Sequence, residues 1–422
     1  FIKSLSLLEI KHFIFVQKLH KNLCVATIEA LENIFNEGKY ADKVIETLLK
    51  SNPKWGARDR AFIAENTYEI VRWWRRLLFL ADEKYADGRK YPTVVFWKTL
   101  GTWLVLQDVQ LPSWEEFKQV AIGKIKQNSK KEMSRAIRES VPDWLDTLGE
   151  KELNKEWDKE LKASNQTAKV VLRVNTLKTT KKELIKALQE LEIETASVNL
   201  VENGLVLKER QNIFKTALFK DGYFEVQDAG SQKIGEYLQI PENAKSLRVV
   251  DACAGAGGKT LHLAAMMGNK GKIIALDTES WKLEELKKRS RRAGVSIIET
   301  RLIESTKTVK RLENTADRLL LDVPCSGLGV LRRNPDAKWK LSEDFINQIR
   351  TTQAEILENY SKILKKGGLM VYATCSLLPS ENEKQVEAFL EKNTDFTLIS
   401  QNHLRPSEYG FDGFYMALLE RK

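Results

Sequence analysis

From about residue 22 to residue 144, apolar positions recur every three or four residues. Cys24, Ile28, Leu31 and Phe35 form one such stripe, and residues 57–80 carry another. That spacing puts side chains on one helical face, and no two-residue alternation persists, so the stretch reads as helical throughout. The texture changes between roughly residues 145 and 235. Residues 170–175 read as a strand, 181–191 as an amphipathic helix, and 198–207 as a hairpin around Asn203-Gly204. The expectation is a small α+β module, a βαβ unit extended by further strands. Residues 226–232 then open a helix leading to Leu238, and their polar side chains either line a site or cap that helix. From residue 247 onward, short apolar runs alternate with amphipathic stretches. Strands are expected over 247–252, 272–277, 295–298 and 318–322, and in the run ending at Thr374. Helices are expected over 259–267, 280–292 and 342–364, with a last one opened by a Ser380/Glu383 capping box and continuing to Glu391. Such alternation implies α/β architecture, a parallel sheet with helices on both faces.

A chain of 422 residues has room for two or three domains. The texture divides it into a helical domain over 1–145, an α+β module over 146–235 and an α/β domain over 236–422. Hydrophobic content of 42% and charged content of 30% are ordinary for a globular protein. The formal net charge of +10 favours an anionic partner, and nucleic acid fits better than membrane. No apolar run approaches the roughly 20 residues that span a bilayer. The four cysteines, at 24, 253, 325 and 375, form no C-x-x-C pair, so neither structural zinc nor a disulfide framework is expected, and a reducing cytoplasm fits. Residues 5–16 are rather apolar but broken by Glu9, Lys11 and His12, which makes a poor secretory signal. In Arg72-Trp73-Trp74-Arg75-Arg76 aromatic and basic residues are mixed. Rings there belong either to a core or on RNA bases, and the arginines either to a solvated face or on phosphates.

Two short apolar runs end on polar turns that each carry a cysteine: residues 319–327, with Asp322-Val323-Pro324-Cys325-Ser326-Gly327, and residues 371–376, with Thr374-Cys375-Ser376. Open α/β sheets bind ligands just beyond the carboxyl ends of their strands, so two such cysteines can face one substrate. Free cysteines are otherwise small buried hydrophobes. A third segment, Asp251-Ala252-Cys253-Ala254-Gly255-Ala256-Gly257-Gly258-Lys259-Thr260, is a glycine-rich turn between a strand and a helix. It is not a P-loop, because Cys253 stands where the first glycine belongs, and Thr260 breaks the G-x-G-x-x-G dinucleotide pattern. Asp277, at the end of the next strand, sits where a ribose hydroxyl is usually held. A glycine turn with an acidic strand end suits a nucleoside cofactor such as S-adenosylmethionine.

These motifs, in this order, resemble the Fmu/Sun family of RNA 5-methylcytosine methyltransferases. The likeness runs on through Arg332-Arg333-Asn334-Pro335-Asp336, Lys338-Trp339 and Asp412-Gly413-Phe414-Tyr415, and it covers residues 172–422. Residues 172–176 and 226–228 look like the family's pre-catalytic motifs. The helical segment, with Arg58-Asp59-Arg60-Ala61, looks like the NusB-like domain of the RsmB branch. The resemblance implies a Rossmann-like methyltransferase sheet behind an all-α NusB-like domain and the α+β module. It implies S-adenosylmethionine along Cys253, Ala254, Gly255, Ala256, Gly257, Gly258 and Lys259, with Asp277, Asp322 and Glu304. Two departures stand out: Gly255-Ala256 replaces the family's Ala-Pro, and Glu304 is the closest match to the aspartate expected after the third strand.

The chemistry accounts for two cysteines. Carbon 5 of cytosine is a poor nucleophile until a thiolate adds at carbon 6. The carbon 5 proton must then leave and the thiolate be expelled. The resemblance assigns the attack to Cys375 and the release to Cys325. It gives Asp322 the cytosine amine and ring nitrogen, and Lys259 the task of holding Asp322 or favouring a thiolate. Arg332, Arg333 and Lys338 are expected on phosphate. DNA cytosine methyltransferases attack with the Pro-Cys cysteine instead, and the additional Thr-Cys-Ser favours RNA. The expected substrate is ribosomal RNA of the small subunit, with tRNA and a non-catalytic assembly factor as alternatives. A cytoplasmic monomer with neither metal nor membrane partner completes the expectation.

Overall fold

The helical stripes close on themselves in the way their period requires. The computed structural model describes residues 19–241 and 243–422, so the apolar run at 5–16 lies outside the described residues. Contacts divide the chain into two units. Among the described residues, one holds those up to Lys151 together with Asn334–Leu341, and the other holds those of Glu152–Arg333 and Ser342–Lys422.

In the first unit, helices Lys21–Phe35, Ala41–Ser51, Ala57–Arg72, Trp74–Leu80 and Thr93–Leu106 bury their apolar faces against one another. Phe35 and Phe96 both stack on Trp74, with centroids 4.1 and 5.4 Å away. Trp74 is core, and the neighbouring arginines are neither a solvated face nor free for RNA. Arg72, Arg75 and Arg76 are all buried, and Arg75 donates to the Val141 carbonyl at 2.7 Å and to Asp143. Asn334–Leu341 joins this unit through three anchors. Asp336 accepts the Ala41 N–H at 3.0 Å, satisfying a donor at that helix's open N-terminus. Lys338 Nζ donates to the Arg72 carbonyl, and Trp339 Nε1 to the Val71 carbonyl, both at 2.8 Å.

The second unit carries two sheets. The smaller has strands β1 (Val171–Val174), β2 (Thr195–Ser197), β3 (Gly204–Leu207) and β4 (Phe224–Val226) in the order β2-β3-β1-β4, all neighbours antiparallel. Because β3 lies between them, β1 and β2 run parallel on either side of it, and helix Lys181–Gln189 connects them. This is a split form of the expected βαβ unit. Thr180 and Glu183 cap that helix reciprocally.

The larger sheet has strands β5 (Arg248–Asp251), β6 (Lys272–Asp277), β7 (Ile298–Leu302), β8 (Ala316–Asp322), β9 (Leu364–Thr374), β10 (Phe396–Leu404) and β11 (Phe414–Arg421). Their order is β10-β11-β9-β8-β5-β6-β7. The expected all-parallel sheet is mixed, since β11 runs antiparallel to both β9 and β10. Register aligns Asp251 with Leu320, Asp277 with Leu302 and Asp322 with Ala373, so five strands end along one edge. The strand expected at 295–298 begins at Ile298, because left-handed Gly294 ends the preceding helix and residues 295–297 form the turn. No helix among the described residues is long and apolar enough to cross a membrane.

Candidate active site

The edge where β5, β6, β8 and β9 end collects the residues that the sequence singled out. After β5 the chain turns through Gly255 and Gly257, both in the left-handed region, at φ 55° and 85°, before helix Gly258–Met266. A Cβ on Gly257 would lie 2.0 Å from the Leu286 side chain, whereas one on Gly255 would meet nothing within 4 Å. The turn therefore packs tightly on one side and faces open space on the other. Asp277 closes it from β6, accepting N–H groups from Gly255 and Glu279 at 2.9 Å each. Two arginines hold its carbonyls from behind. Arg289 donates to the Ala256 oxygen at 2.8 Å, and buried Arg173, from β1, to the Gly258 oxygen at 2.6 Å. Burial pulls the Arg173 guanidinium down to about 9. Sequence reading placed Arg173 in a motif, residues 172–176, without giving it a role, and missed Arg289, whose segment speaks only of helix.

Lys259 reaches across the strand ends to Asp322 at 2.6 Å, with the side chains 13% and 27% exposed, so the pair faces the crevice. Burial works against the ammonium, but Asp322 and the hydrogen bond between them outweigh it, and the lysine holds its proton more tightly than usual. The Cys375 sulfur adds to that effect. Burial also raises Asp251, to about 7, although the Thr260 hydroxyl donates to it at 2.7 Å.

The two cysteines meet. Cys325 Sγ and Cys375 Sγ lie 3.2 Å apart, in hydrogen-bond contact as free thiols, and the Cys375 N–H donates to Cys325 Sγ at 3.3 Å. Their turns are fitted backbone to backbone. The Gly329 N–H donates to the Cys375 carbonyl at 2.8 Å, and the Gly413 N–H to the Gly329 carbonyl at 2.8 Å. A Cβ on Gly329 would stand 2.2 Å from the Gly413 oxygen. Glu381 and Asn382, both fully buried, brace the pair from below. Asn382 accepts from Thr374 Oγ1 at 2.5 Å and donates to the Ser376 carbonyl at 3.1 Å. The expected Ser380/Glu383 capping box does not form. Ser380 lies in a short 3-10 turn, Pro379–Glu381, and donates to Glu152, while Asn382 precedes helix Glu383–Lys392. The signal for the real arrangement was two polar residues, Glu381 and Asn382, shortly after an apolar Leu377-Leu378-Pro379.

Comparison with known proteins decides the family. The profile described as 16S rRNA methyltransferase RsmB/F matches residues 237–420, and the RsmF/B-like ferredoxin-like domain matches residues 141–214. A Synechocystis protein named "Probable ribosomal RNA small subunit methyltransferase B" is 32% identical over 399 residues, 87% of this chain and 88% of that protein. The chain belongs to the RsmB/F family of 16S rRNA methyltransferases. "Ribosomal RNA small subunit methyltransferase B" of Klebsiella pneumoniae is 28% identical over 437 residues, 95% of this chain and 99% of that one. The crystal structure of PH0851, 24% identical, shares the fold with a TM-score of 0.80 across 96% of this chain and 100% of that chain. The RsmB/F assignment makes the larger sheet a methyltransferase sheet and the chain an enzyme of a methyl-transferring family.

Two of the three expected phosphate contacts are corrected, and the third, Arg333, is held by carboxylates with 30% of its side chain exposed. Arg332 is 3% exposed and donates to the Ala163 carbonyl at 2.7 Å and the Pro406 carbonyl at 3.0 Å. Arg333 bridges two buried carboxylates, Asp228 at 2.8 Å and Asp412 at 2.5 Å. Lys338 is 2% exposed within the helical unit, and burial pushes its ammonium well below the usual lysine range. A basic run in a loop resembles a phosphate cradle in sequence; here its cations are spent on carbonyls and carboxylates of their own units. Asp228 both caps its helix, through the Gly230 N–H, and pairs with Arg333. Glu304 is exposed, two residues beyond Leu302, the register partner of Asp277, so it stands at the same sheet edge.

Proposed function

We propose that this enzyme methylates carbon 5 of a cytosine in small-subunit ribosomal RNA, in the cytoplasm, through a covalent link between cytosine and Cys375. The observation that carries the reading is the pair of thiols 3.2 Å apart beside the Lys259–Asp322 ion pair. A methyltransferase acting on an exocyclic amine or a hydroxyl has no use for two adjacent thiols, whereas carbon 5 needs one sulfur to activate it and a second group to restore the ring. The names of the relatives supply the substrate.

S-adenosylmethionine fits the crevice by the geometry of the turn. The glycine at 255 leaves open space, the helix N-terminus at Gly258 presents free N–H groups, and Asp277 offers a carboxylate at the rim. Residues Cys253 to Lys259 with Asp277 would hold it, Glu304 stands within the same edge, and it would supply the methyl group as an electrophile. The protein's own side chains do the rest. Cys375 adds to carbon 6 of the cytosine. Asp322, fixed by Lys259, accepts a hydrogen bond from the exocyclic amine, and the positive charge of Lys259 offsets the negative charge that the addition spreads onto the ring. In the release the carbon 5 proton passes to water, the electron pair of that bond re-forms the ring double bond and expels the Cys375 sulfur as thiolate, and the Cys325 thiol stabilises that departing sulfur by a hydrogen bond.

Bisulfite sequencing of total RNA from cells with and without the gene tests the reading. It expects one cytosine of small-subunit ribosomal RNA to lose protection. Loss confined to tRNA would change the substrate, and no loss in any RNA would overturn the activity.

A further inference from the structure

Glu381 has no part in the chemistry described so far, yet its carboxylate touches both cysteine turns. Oε1 accepts the Ser376 hydroxyl at 2.5 Å, and Oε2 accepts the Ser326 N–H at 2.8 Å and Gln353 Nε2 at 3.0 Å. Ser326 and Ser376, each next to a cysteine, are hydrogen-bonded to each other at 3.0 Å. Gln353, from helix Glu343–Tyr360, also donates to the Pro324 carbonyl at 3.0 Å. All these partners are neutral donors, so a fully buried carboxyl group is held by hydrogen bonds to both cysteine turns.

We propose that Glu381 is a positioning residue that locks the two Cys-Ser turns to one frame and holds Cys325 as the hydrogen-bond donor to Cys375, leaving Cys375 as the sulfur that attacks. This deepens the cysteine mechanism above and rests on it.

Charge is distributed asymmetrically about the pair. Facing it are Lys259, from the helix after β5, Asp322 at the end of β8, Tyr372 on β9, and Glu381 on the 3-10 turn. Tyr372 stays a phenol and donates to the Glu381 carbonyl at 2.7 Å. The Cys325 thiol is pushed up first by its hydrogen bond with Cys375, then by burial, the Cys375 charge and the charge of Glu381, while the Gly327 N–H opposes them. The cation lies on the other side, where Lys259 and Cys375 act on each other. An anion on one side and a cation on the other favour Cys325 as the donor of the pair and Cys375 as its acceptor.

Peptide-resolved alkylation with iodoacetamide, which needs no RNA, tests the assignment on the full-length protein. In the wild type at pH 7.5, Cys375 should react at least tenfold faster than Cys325. In Glu381→Gln, with S-adenosylmethionine binding intact, the ratio should fall at least fivefold, and Glu381→Asp should restore part of it. Methylation by Glu381→Gln should lose kcat with KM for RNA unchanged, which a general loosening of the fold would not produce. Should Glu381→Gln fail to fold, Ser376→Ala, which removes the closest donor to the carboxylate, should lower the ratio in the same direction. Faster alkylation of Cys325 in the wild type overturns the proposal. So does an unchanged ratio in folded Glu381→Gln or, failing that, in Ser376→Ala. Absence of any RNA adduct would overturn the function proposed above without touching this result.

Discussion

Four free thiols sit in surroundings that separate their roles. Cys24 lies within the helical core, where burial pushes it up to about 12, and its contribution is packing. Cys253 lies in the glycine turn and is held up by burial and three nearby carboxylates, which disfavours a thiolate there. Cys325 and Cys375 alone share a proton-sized gap. Their positions after strands were legible in sequence; their contact needed β8 and β9 to be neighbours. The carboxylates divide in a similar way. Asp277→Ala removes the rim acceptor and should weaken S-adenosylmethionine binding by about 1.5–3 kcal/mol, roughly tenfold to a hundredfold, in calorimetric titration. Unchanged affinity would place the cofactor elsewhere. Asp251 behaves differently, since burial lifts it from 3.8 to about 7. Between those values the folded state holds a proton that the unfolded state has released, so this group's contribution to stability falls as pH rises. Melting of Asp251→Asn against wild type, without cofactor, should show the variant gaining between pH 4 and pH 8. A constant difference across that range would contradict the shift.

Elements built from local pattern were the most legible. Helix Ser280–Ala293 and strand β6 fall within a residue of the apolar run that announced them. The two C-terminal strands were missed. Phe396–Leu404 is partly exposed and polar, and β11 is buried along six consecutive residues, so neither shows a two-residue alternation. Their antiparallel pairing brings Gly413 beneath Gly329 and thereby fixes the Cys375 turn. Gly329, four residues after Cys325, thus serves close approach. Gly329→Ala must displace both the Gly413 oxygen, 2.2 Å from the new Cβ, and the Cys375 oxygen, 2.8 Å from it. It should cost about 1–3 kcal/mol in denaturant unfolding and depress methylation while sparing S-adenosylmethionine binding. Wild-type stability and activity would show that the contact is slack.

At the scale of the molecule, the three textures of the chain were visible, but not the path by which residues 334–341 leave the catalytic unit's sequence and belong to the helical unit by contact. No local pattern encodes that. Asp336, Lys338 and Trp339 look like a polar loop until their partners at Ala41, Arg72 and Val71 are known. Lys338→Met tests the correction. A buried amine replaced by a side chain of similar volume should leave RNA affinity and its salt slope unchanged, with a melting temperature at neutral pH equal to or above that of the wild type. A phosphate-contacting lysine would instead lose affinity and reduce the slope by about one. The central claim, that Cys375 attacks and Cys325 releases, is tested most directly by incubating the intact protein with RNA and S-adenosylmethionine and resolving the mixture by denaturing electrophoresis. Cys325→Ala should accumulate a slow band of protein joined to RNA, and Cys375→Ala should give neither band nor methylation. An adduct that builds up in Cys375→Ala and is absent from Cys325→Ala would reverse the two roles and contradict the account.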